Sequence, residues 1–100
     1  MMLMNKEGFI YILTNKNNTV LYVGVTSDLT SRIHQHRKGL FKNAFTSRYN
    51  LTKLVYYERF LSIEDAIYRE KQLKAGSRKK KIALIEKNNS EWKDLSKINY

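Results

Sequence analysis

Two short apolar runs, residues 8–14 and 19–25, flank the polar stretch Asn15-Lys16-Asn17-Asn18 near the start of the chain. Both runs are rich in β-branched and aromatic residues, and the break between them is Asn-rich, so together they predict a β-hairpin with a longer loop. If Thr14 pairs with Thr19 around that loop, Tyr11 falls directly opposite Tyr22 on one face of the pair. Taken alone, that is an aromatic cross-strand pair that stabilises the hairpin. A helix carrying Arg32 and His36 follows at once, which gives the two phenols a second reading.

The rest of the chain sets the bounds. Its 100 residues contain no Pro and only four Gly, which predicts one compact domain over residues 1–100. A chain of this size buries roughly 60–70% of the surface it exposes when unfolded, enough for a modest core. There is no apolar stretch of about 18 residues to span a membrane, and Met1-Met2-Leu3-Met4 ends at Asn5-Lys6, too short for a signal peptide. With no cysteine there are no disulfides and no thiolate metal sites, so the expectation is a cytoplasmic protein. Nineteen Lys and Arg against nine Asp and Glu leave a net charge of +10. That excess favours polyanions, nucleic acid first and anionic membrane second, although it also serves plain solubility. A membrane-surface protein would show a basic amphipathic helix with Trp, Phe or Leu opposite the charges. No segment does, so no membrane partner is expected.

After the hairpin, Thr26-Ser27-Asp28 offers N-caps for a helix over 29–38, which Gly39 stops. Residues 40–50 are basic and polar with Phe41, Phe45 and Tyr49 interspersed, a short helix or irregular loop. Residues 54–60 read as a third strand. Ser62 with Asp65 forms a capping arrangement for a helix over 63–74. Ala75-Gly76-Ser77 breaks it, and a last helix runs over 78–87 with Ile82 and Ile85 on one face. Trp92, with Leu95, packs onto the body. The fold class is α+β: a small three-stranded antiparallel sheet flanked by three or four helices.

Helical spacing places Arg32 and His36 side by side along one edge of the Leu29/Ile33 stripe. Each has a plain alternative, a surface cation with its stem on the core and a boundary histidine. Glu70 falls inside the stripe of Ile63, Ala66, Ile67 and Leu73. A carboxylate on an apolar face is seldom buried unless it is paired or holds a metal. One reading is a salt bridge with Arg32 or Arg69. The other is a cleft carboxylate holding Mg²⁺, which often uses only one or two carboxylates and fills its other positions with water and phosphate oxygens.

Phe9-Ile10-Tyr11, then Tyr22-Val23-Gly24, Arg32 in the next helix and Glu70 in a later one resemble the GIY-YIG nuclease superfamily. The likeness is to its small single-domain bacterial members in particular. It extends through Leu54-Val55-Tyr56-Tyr57-Glu58, through Arg69-Glu70-Lys71-Gln72-Leu73-Lys74 and through Asn89-Ser90-Glu91-Trp92. Phe9 stands where the family has its first glycine, with Gly8 just before it, and Ser90 replaces a proline usual in that branch. The resemblance implies a nuclease that hydrolyses DNA phosphodiesters, including branched or single-stranded DNA, with low sequence specificity. It implies Mg²⁺ or Mn²⁺ on Glu70 and Arg32 on the scissile phosphate. Tyr11, helped by Tyr22 or His36, would take the proton from the attacking water. A phenol near pKa 10 is a poor base at neutral pH, so Arg32 and the metal would have to favour the phenolate. The base is left open among Tyr11, Tyr22 and His36.

Two segments could hold phosphates: Arg37, Lys38, Lys42 and Arg48 in the first, and Lys74, Arg78, Lys79, Lys80 and Lys81 in the second. The first also carries aromatic residues that can stack unpaired bases. DNA is favoured over RNA, and a protein partner could supply specificity. The competing reading is a non-catalytic nucleic-acid-binding module that retains the nuclease fold. An adaptor acting through the sheet edge or Trp92 is a third.

Overall fold

The structure, a computed structural model, describes residues 6–39 and 45–97. Its organising element is the first strand, β1 (Gly8–Thr14), in which Ile10, Tyr11, Ile12 and Leu13 are all 0% exposed. A strand apolar on both faces needs a neighbour at each edge and a cover on each side. β2 (Leu21–Thr26) and β3 (Lys53–Phe60) pair with it antiparallel, in the order β2-β1-β3.

The hairpin register differs from the expected one by two residues. Thr14 pairs with Leu21, so Tyr11 faces Gly24 and Tyr22 faces Leu13. The cause is Asn15. Its Oδ1 accepts from the backbone N–H of Thr19 at 2.8 Å and of Val20 at 3.1 Å, drawing both residues into the loop. Because the slip is an even number, Tyr11 and Tyr22 keep the same face and meet diagonally.

That face, with Phe9, Tyr11, Leu13, Tyr22, Leu54 and Tyr57, packs against Leu29 and Ile33 of α1 (Leu29–Arg37) and against Leu51. The opposite face, with Ile10, Ile12, Val23 and Tyr56, is covered by Ala66 and Leu73 of α3 (Ile63–Ala75), Ile85 of α4 (Arg78–Asn88) and Trp92. Between them in sequence lies α2 (Phe45–Arg48), a single turn. A register shift between Ile12 and Leu13 leaves Val55 as the extra residue of a bulge in β3.

The helix ends follow local chemistry. Asp28 caps α1 by accepting from Ser31 N at 3.2 Å, and Gly39 ends it with φ +65. The Ser62–Asp65 capping pair does not form. Ser62 Oγ instead donates to Glu64 Oε2 at 2.7 Å, two residues on. Beyond α4, Asn89 Nδ2 donates to the carbonyls of Val55 at 3.0 Å and Lys93 at 2.9 Å, while Asp94 Oδ1 accepts from Leu54 N at 3.2 Å. The C-terminal segment thereby fastens itself along β3.

Two glycines are steric requirements. A Cβ on Gly8 would stand inside 3.0 Å of Ala66 Cβ and Ile63 Cα, where α3 crosses β1. A Cβ on Gly24 would stand inside 3.0 Å of Cζ, Oη and Cε1 of Tyr11, whose ring lies across the strand at that point. Gly24→Ala should therefore lose about 2–3 kcal/mol of unfolding free energy in urea titration, by overpacking. A loss below about 0.5 kcal/mol would mean that the Tyr11 ring does not occupy this position.

Candidate active site

Tyr11 carries its hydroxyl into the space between β1, β2 and α1. There it meets His36 Nε2 at 3.1 Å, and His36 Nδ1 meets Thr46 Oγ1 of α2 at 3.0 Å. The rings of Tyr11, Tyr22 and His36 lie in mutual contact, with centroids 6.3, 5.9 and 6.0 Å apart. Arg32, one turn before His36 on α1, hydrogen-bonds the Tyr11 hydroxyl.

Donor and acceptor rules order this chain. A guanidinium can only donate, so the Tyr11 oxygen accepts from Arg32 and its own proton needs another acceptor. A neutral His36 can provide one at Nε2 in the tautomer that carries its hydrogen on Nδ1, toward Thr46. Burial, and after it the charge of Arg32, hold His36 below its ordinary pKa, which keeps the ring neutral at pH 7. Burial also pushes the Tyr11 phenol well above 10, aided by the nearby Tyr22; Arg32 pulls the other way, and Glu70 adds to the rise. Arg32 favours the phenolate, as expected, but without a metal ion desolvation outweighs it.

Glu70, on α3, has its side chain 15% exposed and its Oε2 3.0 Å from Lys74 Nζ. Of the partners expected from sequence, Arg69 is engaged elsewhere, gripping Glu58 through Nε at 3.1 Å and Nη2 at 3.0 Å. The ammonium of Lys74 also lies 5.9 Å from the Tyr22 ring centroid, between the carboxylate and the ring cluster. Among the described residues no three His, Asp or Glu converge. A site with one carboxylate suits Mg²⁺ or Mn²⁺, which retain water and take phosphate oxygens. The carboxylate is engaged by Lys74, so such an ion could use Glu70 as a ligand once that half-exposed ammonium gives way.

Beside Tyr22, a cleft of about 260 Å³ is lined by Leu21, Val23, Lys74, Arg78 and Lys81. Lys79 and Lys80 project from α4 into solvent, whereas Lys81 is half-buried and donates to the Gly76 carbonyl at 2.9 Å. Arg37 is committed differently. Its guanidinium bonds Asp94 at 2.5 Å and also reaches Ser96, fastening α1 to the C-terminal segment. Lys38 is the exposed C-cap of α1. Arg48 lies 5.7 Å from the Tyr49 ring centroid, and Lys42 lies outside the described residues. Phe9, the departure from the glycine motif, points to the α1 side and borders an open hollow with Leu29 and Tyr57, so its ring has room. Thr46 joins the cluster unannounced by the sequence, one hydroxyl in a basic loop with no periodic signal, and Lys74, expected only as a phosphate-holding cation, also pairs with Glu70.

Among the described residues, no helix is long and apolar enough to cross a membrane. Residues 7–83 match the family model of the GIY-YIG catalytic domain. A UPF0213 protein of Syntrophus aciditrophicus is 33% identical over 82 residues, covering 82% of this chain and 93% of its own. A UPF0213 protein of Streptococcus pyogenes is 37% identical over 91 residues, covering 89% and 96%. The solution NMR structure of a UPF0213 protein from Bacillus halodurans aligns with a TM-score of 0.56 at 31% identity, covering 93% of this chain and 97% of that one. The names of these relatives state no activity. The sheet order, the ring cluster around Tyr11 and a match spanning most of the chain agree: the protein belongs to the GIY-YIG family.

Proposed function

We propose that the chain is a divalent-metal-dependent nuclease that hydrolyses phosphodiester bonds in DNA with low sequence specificity. The observation that carries this reading is the Tyr11 hydroxyl, held between Arg32 and the Nε2 of a neutral His36. A buried phenol in that setting is poorly placed to rest as an anion. It is well placed to pass a proton: as the attacking water gives its proton to the Tyr11 oxygen, the Tyr11 proton moves to His36 Nε2. No free phenolate forms, and the positive charge appears on an imidazole steadied by Thr46. Arg32 offers a rigid fork of donors to the scissile phosphate. Tyr22 packs against both rings and holds them in register. An ion held by Glu70 would supply positive charge for the leaving 3′-oxygen. The cations of the adjoining cleft, Lys74, Arg78 and Lys81, would hold neighbouring phosphates of the same strand.

The first test is incubation of the full chain with nicked, flapped, single-stranded and duplex DNA, and with RNA, with and without Mg²⁺ or Mn²⁺. Metal-dependent cleavage of DNA is expected. Glu70→Gln should lower it by at least about 100-fold, while binding in EDTA stays the same or tightens. Because Lys74 is half exposed, with 50% of its side chain accessible, this variant should melt within about 1 kcal/mol of the parent. A wild-type protein that binds every substrate and cleaves none would make it a binding module.

The pH profile tests the relay. His36 accepts the proton only when neutral, and its pKa is lowered, so cleavage should fall as pH drops through a value below 6.5. Above that step the rate should stay flat to about pH 9. A rate that climbs instead toward pH 10 would assign the base to a free phenolate.

Binding should also depend steeply on salt. Neutralising Lys79, Lys80 and Lys81 together should flatten the slope of log affinity against log salt by up to ~3, if each meets a duplex phosphate. An unchanged slope would remove this run from the binding surface.

A further inference from the structure

Two large rings stand outside both cores, yet are built onto the candidate site. Phe45 is 46% exposed and Tyr49 43%. Their centroids are 4.7 Å apart, and Phe45 lies nearly parallel to Tyr22, at 6.4 Å and 27°. Tyr22 in turn touches Tyr11. The rings therefore form a continuous row from the buried hydroxyl out to solvent. Thr46, between the two exposed rings in sequence, is 3% exposed and bonded to His36, which fixes the position of α2 relative to Tyr11. A cation flanks each end of the outer row: Lys74 at the Tyr22 ring and Arg48 at the Tyr49 ring.

We infer that Phe45 and Tyr49 form a stacking site for an unpaired nucleobase. On this inference, which rests on the nuclease reading above, the strand enters the site with at least one unpaired nucleotide beside the scissile phosphate. Aromatic faces bind any base by stacking, provided the base is not already stacked within a duplex. The flanking cations supply what the phosphates on either side of that base require, and the chain's net charge of +10 favours the same partner. Other exposed apolar side chains, Leu61, Ile67 and Tyr68, lie on or beside α3 and show no comparable link to the site. The row points to a junction between paired and unpaired strands, or to single strands, as the substrate class.

The test measures binding in EDTA, by fluorescence anisotropy, of an oligothymidine, an abasic oligomer of the same length and a blunt hairpin duplex. The variants are Phe45→Leu, Tyr49→Leu and their combination, which keep apolar bulk and remove the ring faces. The double variant should bind oligothymidine about 10- to 100-fold more weakly, while the abasic strand and the duplex change by less than about twofold. A strand carrying 2-aminopurine should be quenched by the wild-type protein and much less by the double variant. Equal losses on all three probes, no loss on any, or no quenching by the wild type would each overturn the inference; so would rings that serve only to dock another protein. The two readings can fail separately. Ring-dependent single-strand binding without cleavage on any substrate ends the nuclease reading alone. Cleavage with ring-independent binding ends this one alone.

Discussion

A phenol buried completely in the middle of a three-stranded sheet must find its hydrogen-bond partners inside the protein. Left unsatisfied, such a group costs about 1–3 kcal/mol. Tyr11 is that group, and the elements around it meet the requirement. Gly24 leaves open the space its ring fills. α1 lies on the same face through Leu29 and Ile33, which brings Arg32 and His36, one turn apart, to the hydroxyl. His36 has a second ring nitrogen to satisfy, and α2 supplies Thr46 for it. A packing problem at one residue thus fixes the position of two helices, and the groups that solve it are those to which the proposed nuclease chemistry assigns the proton and the phosphate.

Charge is arranged around this cluster in two shells. Inside, burial keeps Tyr11 protonated and His36 neutral, so the shell holds one cation, Arg32, among polar but uncharged groups. Outside, Lys74, Arg78 and Lys81 line the cleft beside Tyr22, with Glu70 paired to the first of them. Lys74 belongs to both arrangements, bonded to Glu70 and close to the Tyr22 ring. Not every base in the sequence takes part. Arg37 sits on the same helix as Arg32 and looks equivalent in sequence, yet it is bound to Asp94 and secures the C-terminal segment.

Much of this could be read from the chain before folding, because periodicity survives small errors of register. The hairpin slipped by two residues, but Tyr11 and Tyr22 stayed on one face since the slip was even. The helix ends at Gly39 and Gly76 were visible as glycines, and α3 was visible as a stripe that happened to contain Glu70. What stayed hidden depends on side-chain geometry. Asn15 takes two backbone donors into the loop, Ser62 bonds Glu64 in place of Asp65, and Lys74 pairs with Glu70. The direction of the Tyr11 shift was also hidden, because it turns on how far burial outweighs one nearby arginine. Sequence names both influences but not their sizes.

The claim on which the account turns is that His36 is a neutral acceptor for the Tyr11 proton, with its own hydrogen on Nδ1 facing Thr46. Long-range ¹H–¹⁵N NMR spectra of the imidazole read this directly on the free protein at pH 7. The account predicts the Nδ1–H tautomer, titrating below 6.5 and collapsing to a tautomer mixture in Tyr11→Phe. An imidazolium at pH 7, or the Nε2–H tautomer, would contradict it.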